Sequence, residues 1–173
     1  MIDLDELAHE IIEPGKPAYN RILSRFGKDI LDPKQRIERR RLGAVVFSDA
    51  EARKDLENIT HPEISKLLLE KIEKYRLSGN RLLFLEIPLL FETGMDSWIR
   101  PVIAVSCPIG VCLQRLEERD GFSISESQAR MKAQMDPEEK ARKADFVIDN
   151  SGSLEETRAR VEKIIQELTK SEL

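Results

Sequence analysis

Cysteine is scarce in this chain of 173 residues, with only Cys107 and Cys112, so no disulfide framework holds the fold and no second pair supports a zinc site. Both read most simply as small buried residues. Aromatic residues make up 5% of the chain and Trp98 is the single tryptophan, so there is no stacking platform for bases. Positive charge is not in excess. The 28 basic residues face 32 acidic ones, for a net charge of −4, and a nucleic-acid backbone would need a local basic patch. Long apolar runs are missing as well: Leu82–Leu85 and Ile87–Phe91 are separated by Glu86 and are far too short to cross a bilayer. The opening Met1-Ile2-Asp3-Leu4-Asp5-Glu6 is acidic where a secretory signal would be basic. Repeats, low-complexity tracts and Gly/Ser-rich linkers are absent. Apolar residues at 40% still suffice for a core, and 35% charged residues fit a soluble globular protein. The expectation is one cytoplasmic domain over 1–173, with neither membrane nor nucleic acid as partner.

Three segments predict buried strands: residues 82–87, 102–105 and 146–148, short, apolar and partly β-branched. Their nearly continuous apolarity predicts strands covered on both faces, as in a parallel sheet. Helices fill the intervals. Thr60-His61-Pro62-Glu63 has the capping-box pattern and predicts a helix from 60 to the stop signal Ser78-Gly79-Asn80. Pro108 predicts another start, Asp136-Pro137 an N-cap with proline at the first helical position, and Ser153-Leu154-Glu155-Glu156 a second capping box. Val161, Ile164, Ile165 and Leu168 then give the last helix one apolar stripe. Strands alternating with helices predict an α/β domain. Residues 4–79 differ: helical patterns near 4–12, 17–26, 36–47 and 49–58 predict a helical subdomain with no strand of its own.

Several side chains could carry chemistry. Asp3 and Asp5 stand beside a predicted strand-to-helix junction, which suits a base or a metal-linked carboxylate, although on spacing alone helix capping is the simpler reading. Glu86 ends a predicted strand, where open α/β sheets place ligands; it needs a cation, a metal or a mouth open to water. Arg115 and Arg119 are four apart on one helix. Arg130, Lys132, Lys140, Arg142 and Lys143 follow, but seven acids between Glu117 and Glu139 balance these seven bases. Inward arginine forks would clamp phosphates, while a solvated face explains most of these residues. Most of Arg36, Arg39, Arg40 and Arg41 read as surface. His61 could hold an anion at the start of its helix, and His9 carries no assigned role.

In order along the chain, Ile2-Asp3-Leu4-Asp5, Glu13-Pro14-Gly15, Arg39 through Leu42-Gly43, His61-Pro62-Glu63-Ile64, Glu86-Ile87-Pro88-Leu89-Leu90-Phe91-Glu92, Arg115 with Arg119, Arg130 with Gln134, and Ala144-Asp145-Phe146-Val147-Ile148-Asp149-Asn150-Ser151-Gly152 resemble dephospho-coenzyme A kinases. These are P-loop kinases of the nucleoside-monophosphate-kinase type. The resemblance implies a three-layer α/β fold, a parallel sheet flanked by helices, with a helical acceptor subdomain over 4–79 and a lid over about 115–143. It implies transfer of the ATP γ-phosphoryl group to the ribose 3′-hydroxyl of dephospho-CoA, with Mg²⁺. Asp5 would orient or deprotonate the hydroxyl and Glu86 would stand near the reacting centre. Asp3, Arg39 and His61 would bind the acceptor, Arg115, Arg119 and Arg142 would close over phosphates, and Asn150 would lie near the adenine. Two other readings are a non-catalytic binder of CoA-like ligands and a kinase for another small acceptor, such as a nucleoside monophosphate.

The departure from the family lies at the beginning. No glycine stands five residues before Gly15-Lys16 or Gly27-Lys28, so G-x-x-x-x-G-K is absent. By the resemblance, Met1-Ile2-Asp3 matches the end of the second family strand. A strand, phosphate loop and average helix, roughly 25 residues, are expected before it, and the chain without them is expected to be a poor kinase whose sheet is split.

Overall fold

Carboxylates and prolines set the helix starts. The computed structural model describes residues 1–79, 81–121, 123–132 and 134–170. Strand β1 (Ile2–Asp3) leads straight into helix α1 (Leu4–Ile11) because the Asp3 carboxylate accepts the Asp5 N–H at 2.7 Å and caps the helix. Pro17 opens α2 (Pro17–Phe26), where its missing N–H is harmless. Gly27, at φ +79°, ends it and donates its N–H to the Leu23 carbonyl. Helix α3 (Arg39–Ser48) follows.

The expected start at Thr60 is not a start. Helix α4 runs from Ala50 to Leu77, capped by the Asp49 carboxylate through the Glu51 and Ala52 N–H groups, and passes through Pro62. Thr60 bonds back to the Leu56 carbonyl instead of capping, an alternative open to threonine inside a helix. The two helices expected over 49–58 and 60–78 are one. Of the stop signal, Asn80 lies outside the described residues.

Strand β2 (Leu85–Glu86), a 3₁₀ turn (Met95–Ser97) and strand β3 (Ile103–Ser106) come next. They are followed by α5 (Ile109–Asp120), α6 (Ile124–Lys132), α7 (Pro137–Lys143), β4 (Phe146–Asp149) and α8 (Leu154–Lys170). The starts at Pro108, Asp136 and Ser153 are where the sequence places them. Ser153 and Glu156 cap each other, N–H to carboxylate at 2.8 Å and N–H to hydroxyl at 3.2 Å. β2 is shorter than the expected 82–87, since β1 offers only Ile2 and Asp3 as partners. Ile2 pairs with Leu85 and Asp3 with Glu86, in parallel. β3 and β4 are also parallel, from Ile103 opposite Phe146 to Ser106 opposite Asp149. Among the described residues the strands thus form two separate two-stranded sheets.

Two compact units divide the chain, Met1–Pro88 and Leu89–Leu173. In the first, Ile11, Ala18, Tyr19, Ile22, Ile30, Leu31, Ile37, Leu42 and Ile59 form a buried cluster drawn from all four helices and the intervening loop. Each large aliphatic member contributes about 1.5–3 kcal/mol by leaving water. Lys71 on α4 reaches Glu10 on α1 at 2.9 Å and holds that carboxyl below its usual range. In the second unit α7 packs on β3 and α8 on β4. The expectation of strands covered on both faces is corrected here. Val105 is 64% exposed and Val147 47%, since the packed helices bury Ala104 and Ile148 but not these neighbours. No described helix is long and apolar enough to cross a membrane.

Replacing the fully buried Ile22 by alanine is expected to lower the unfolding free energy by about 2–5 kcal/mol in urea melts. A pH dependence follows from Asp145. Its carboxylate accepts the Val102 N–H at 2.7 Å and pairs with Arg100 at 2.9 Å, and these two partners, in that order, depress its pKa. The stabilisation is complete above the ordinary aspartate value of about 4 and is lost as pH falls through the depressed one. Melts of the wild type and Asp145→Asn should therefore differ at neutral pH and converge in acid. A gap that widens in acid would contradict this assignment.

Candidate active site

In the unit Met1–Pro88, strand register gathers the acids. Asp3 and Glu86 are direct partners across the parallel pair, and Asp5 follows on the first turn of α1. The carboxyl ends of parallel strands are where α/β proteins hold ligands. Asp3 has a structural task, since one of its oxygens caps α1. Asp5 and Glu86 are exposed, and among the described residues neither carboxylate has a hydrogen-bond or ion-pair partner. Glu86 thus meets its need for a charged environment through open water rather than a paired arginine.

A concavity of the same unit, of about 160 Å³, is lined by His9, Ile12, Glu13, Pro14, Arg36, Ile37 and Arg39. Arg39 is the first residue of α3, and its guanidinium meets His9 Nε2. Arginine has only donors, so this ring nitrogen accepts. Arg36 is placed by the tight loop before α3. Asp32 Oδ1 takes the Lys34 and Arg36 N–H groups, both at 2.8 Å, and Leu31 bridges Ile37. Gln35 sits at φ +61°, a conformation costing about 1–3 kcal/mol for a residue with a side chain. The buried Tyr19 hydroxyl, donating to the Gln35 carbonyl at 2.6 Å, helps hold it there. The concavity therefore includes His9, to which the sequence reading gave no role, and Arg36, which is exposed like Arg39, Arg40 and Arg41, as expected of most of them. One signal was available: Asp5 and His9 are four residues apart, so they share a face of α1.

His61 does not stand at a helix start. It is exposed in the middle of α4, whose amino end is Ala50, so the anion site expected from a helix terminus is not there.

In the unit Leu89–Leu173, a cavity of about 650 Å³ is lined by Cys107, Cys112, Arg115, Leu116, Glu118, Arg119 and Asn150. Arg115 donates to the carbonyls of Asn150 at 2.6 Å and Gly152 at 3.4 Å, anchoring the loop between β4 and α8. The Asn150 Oδ1 accepts the Thr157 hydroxyl at 3.0 Å, and Asp149 accepts the Ser151 N–H at 2.9 Å. Asp149 is held below the usual carboxylate range by Ser151 and, more weakly, by Arg160. A Cβ at 152 would displace the Glu156 carboxylate that caps Ser153. Arg119 lines the same cavity, one turn beyond Arg115. Arg142 is exposed on α7 and lines neither concavity; the Arg130 side chain lies outside those described. Cys107 and Cys112 are half-buried and joined to each other as a disulfide, rather than being separate buried thiols. Their Cα atoms, 6.5 Å apart across the entry to α5, fall within the range a bridge spans.

The dephospho-CoA kinase family model matches residues 1–156. The chain belongs to the dephospho-CoA kinase family. A relative from Carboxydothermus hydrogenoformans, named as a dephospho-CoA kinase, is 45% identical over 166 residues, spanning 96% of this chain and 81% of its own. A crystal structure from Thermus thermophilus superposes with TM-score 0.81 at 36% identity, over 96% of this chain and 83% of that one. The dephospho-CoA kinase of Campylobacter jejuni gives TM-score 0.72 at 37% identity, over 99% and 86%. The α/β fold class expected from the sequence is the fold of this family.

Asparagine caps helices as well as aspartate does, and alanine does not. Asp3→Ala should therefore cost about 0.5–2 kcal/mol of stability in thermal melts and Asp3→Asn almost none. An equal loss from both would show that Asp3 carries more than a cap.

Proposed function

We propose that the residues of this chain position dephospho-CoA and close over ATP for transfer of the γ-phosphoryl group to the ribose 3′-hydroxyl. The observation that supports this most is the register of Asp3 with Glu86, which gives Asp5 and Glu86 one end of a parallel strand pair and leaves both carboxylates open to solvent. In the transfer, the 3′-oxygen forms its bond to the γ-phosphorus while the bond from that phosphorus to the bridging oxygen breaks, releasing ADP. The hydroxyl proton goes to Asp5. A carboxylate with no competing partner suits that role, and general-base assistance is worth about 10²–10⁴ in rate. Glu86 stands beside it and orients the hydroxyl or its water.

Acceptor recognition falls to the concavity of His9, Arg36 and Arg39. Two guanidiniums there suit the anionic phosphate groups of a CoA-like molecule. Asp3 supports Asp5 through the cap, and His61, exposed on α4, is a more distant acceptor contact. Arg119 and Arg142 belong to the lid over about 115–143 and neutralise phosphate charge, while Arg115 shapes the loop of Asn150, which borders the adenine.

Mg²⁺ travels with the nucleotide in this reading. Among the described residues no group of three or more His, Cys, Asp or Glu side chains could hold a metal ion, so its ligands would be mostly phosphate oxygens and water. The amides, lysine and hydroxyl of a phosphate loop are also outside this set, because the G-x-x-x-x-G-K motif does not occur in the sequence.

The test is ATP-dependent phosphorylation of dephospho-CoA by the 173-residue chain and by a form with a strand, phosphate loop and helix joined ahead of Met1. Activity is expected in the extended form, reduced about 10²–10⁴-fold by Asp5→Asn. Arg39→Ala should raise the KM for dephospho-CoA about tenfold or more. Two silent proteins that still bind dephospho-CoA would replace the kinase reading with a binding protein.

A further inference from the structure

Phosphoryl transfer as proposed above assigns nothing to Glu92, yet this residue gathers several contacts in the unit Leu89–Leu173. Residues 89–94 form a tight turn. The Thr93 N–H and hydroxyl both donate to the Leu89 carbonyl, the Met95 N–H donates to that of Leu90, and the Leu90 side chain is buried. Glu92 Oε1 accepts the Met135 N–H at 2.8 Å and meets Lys140 Nζ at 2.9 Å. Lys140 Nζ also reaches Gln134 Oε1 at 3.5 Å, and Lys143 Nζ stands 5.6 Å above the Phe91 ring. Two consecutive residues of the turn therefore grip both the approach to α7 and its far end.

This grip differs from a surface ion pair. The Lys140 and Glu92 side chains are 20% and 22% exposed, so removing either strands a partly buried charge. Burial, the largest influence on Glu92, pushes its carboxyl up. Lys140 and the Met135 N–H outweigh burial and hold it below the usual range. Helix α7 has 7 residues, too few to persist without tertiary support. Beyond its packing on β3 and the Asp136 cap on the Glu138 and Glu139 N–H groups, the contacts just described tie it to the turn, and Arg142 rides on it.

We propose that Glu92 is a positioning residue for the transfer, a clasp that binds Met135 and Lys140 and so sets the direction in which α7 presents Arg142. The functional half of this statement rests on the kinase reading; the clasp itself does not.

Hydrogen exchange on the 173-residue chain tests the clasp directly. Glu92→Ala should speed amide exchange across residues 134–143 about tenfold or more, with exchange in β3 and α8 unchanged. Lys140→Met should produce the same local pattern from the other side, which keeps the test decisive if Glu92→Ala fails to fold. Joining Glu92→Lys to Lys140→Glu should restore part of the protection near Lys140. Unchanged exchange over 134–143 in both single variants, or acceleration spread equally over β3 and α8, would overturn the clasp. In the extended, active form, Glu92→Gln should raise the KM for ATP several-fold with the KM for dephospho-CoA unchanged. Equal changes in both constants would overturn the positioning role. A protein with no kinase activity but the expected exchange pattern would retire the kinase reading and leave the clasp standing.

Discussion

The hydrogen bond from the Asp5 N–H to the Asp3 carboxylate fixes the point at which extended chain becomes helix, and the arrangement of the amino-terminal unit depends on it. Helical residues advance about 100° each around the axis. Starting α1 one residue later would swing Asp5 away from the strand end and His9 away from Arg39. The same residue pairs with Glu86 in the sheet, so one side chain and its backbone couple register to helix phase. Leu7 and Ile11, buried on the opposite side of α1, lock that phase from the core. The carboxylate proposed as the base is thereby oriented by interactions that do not touch its own oxygens, which would leave Asp5 free to accept a proton.

What could be read from the sequence was local chemistry. The pairs Ser153 with Glu156 and Asp136 with Pro137 define helix starts through atoms a few residues apart, and the structure places both there. Thr60 failed because the same local pattern competes with a distant fact: Asp49 had already begun the helix, and a threonine hydroxyl inside a helix satisfies itself on the preceding turn. His61 lost its proposed setting with it. Strand length was not legible either, since β2 is limited by a partner two residues long. The family and its acids were carried by ordered motifs. His9 and Arg36 were not, because their convergence depends on the loop that Tyr19 and Asp32 hold in shape.

The two units handle charge differently. Around His9, Arg36 and Arg39 two guanidiniums border a concavity that Glu13 also lines, and that of Arg39 meets His9 Nε2, a side chain, rather than backbone. Arg115 instead already donates to two backbone carbonyls. Its fork has further donors, but reaching a phosphate with the whole group would release the loop carrying Asn150. Loop anchoring is therefore the role its geometry favours.

Phosphoryl transfer to an alcohol rather than to water requires a cover that closes and then reopens. Such a cover must be drawn from the less stable parts of a fold. Helix α7 suits such a cover: it is short, has no fully buried side chain, and is tied to the turn by one carboxylate in addition to its packing on β3. A clasp of one N–H and one ammonium is strong enough to choose an orientation and weak enough to break on the timescale of a turnover. An apolar lock of the kind that holds α1 and α2 would fix Arg142 permanently, and a fully solvated pair would not orient it at all. The intermediate burial of Glu92 and Lys140 is what the proposed lid would need of a reversible contact.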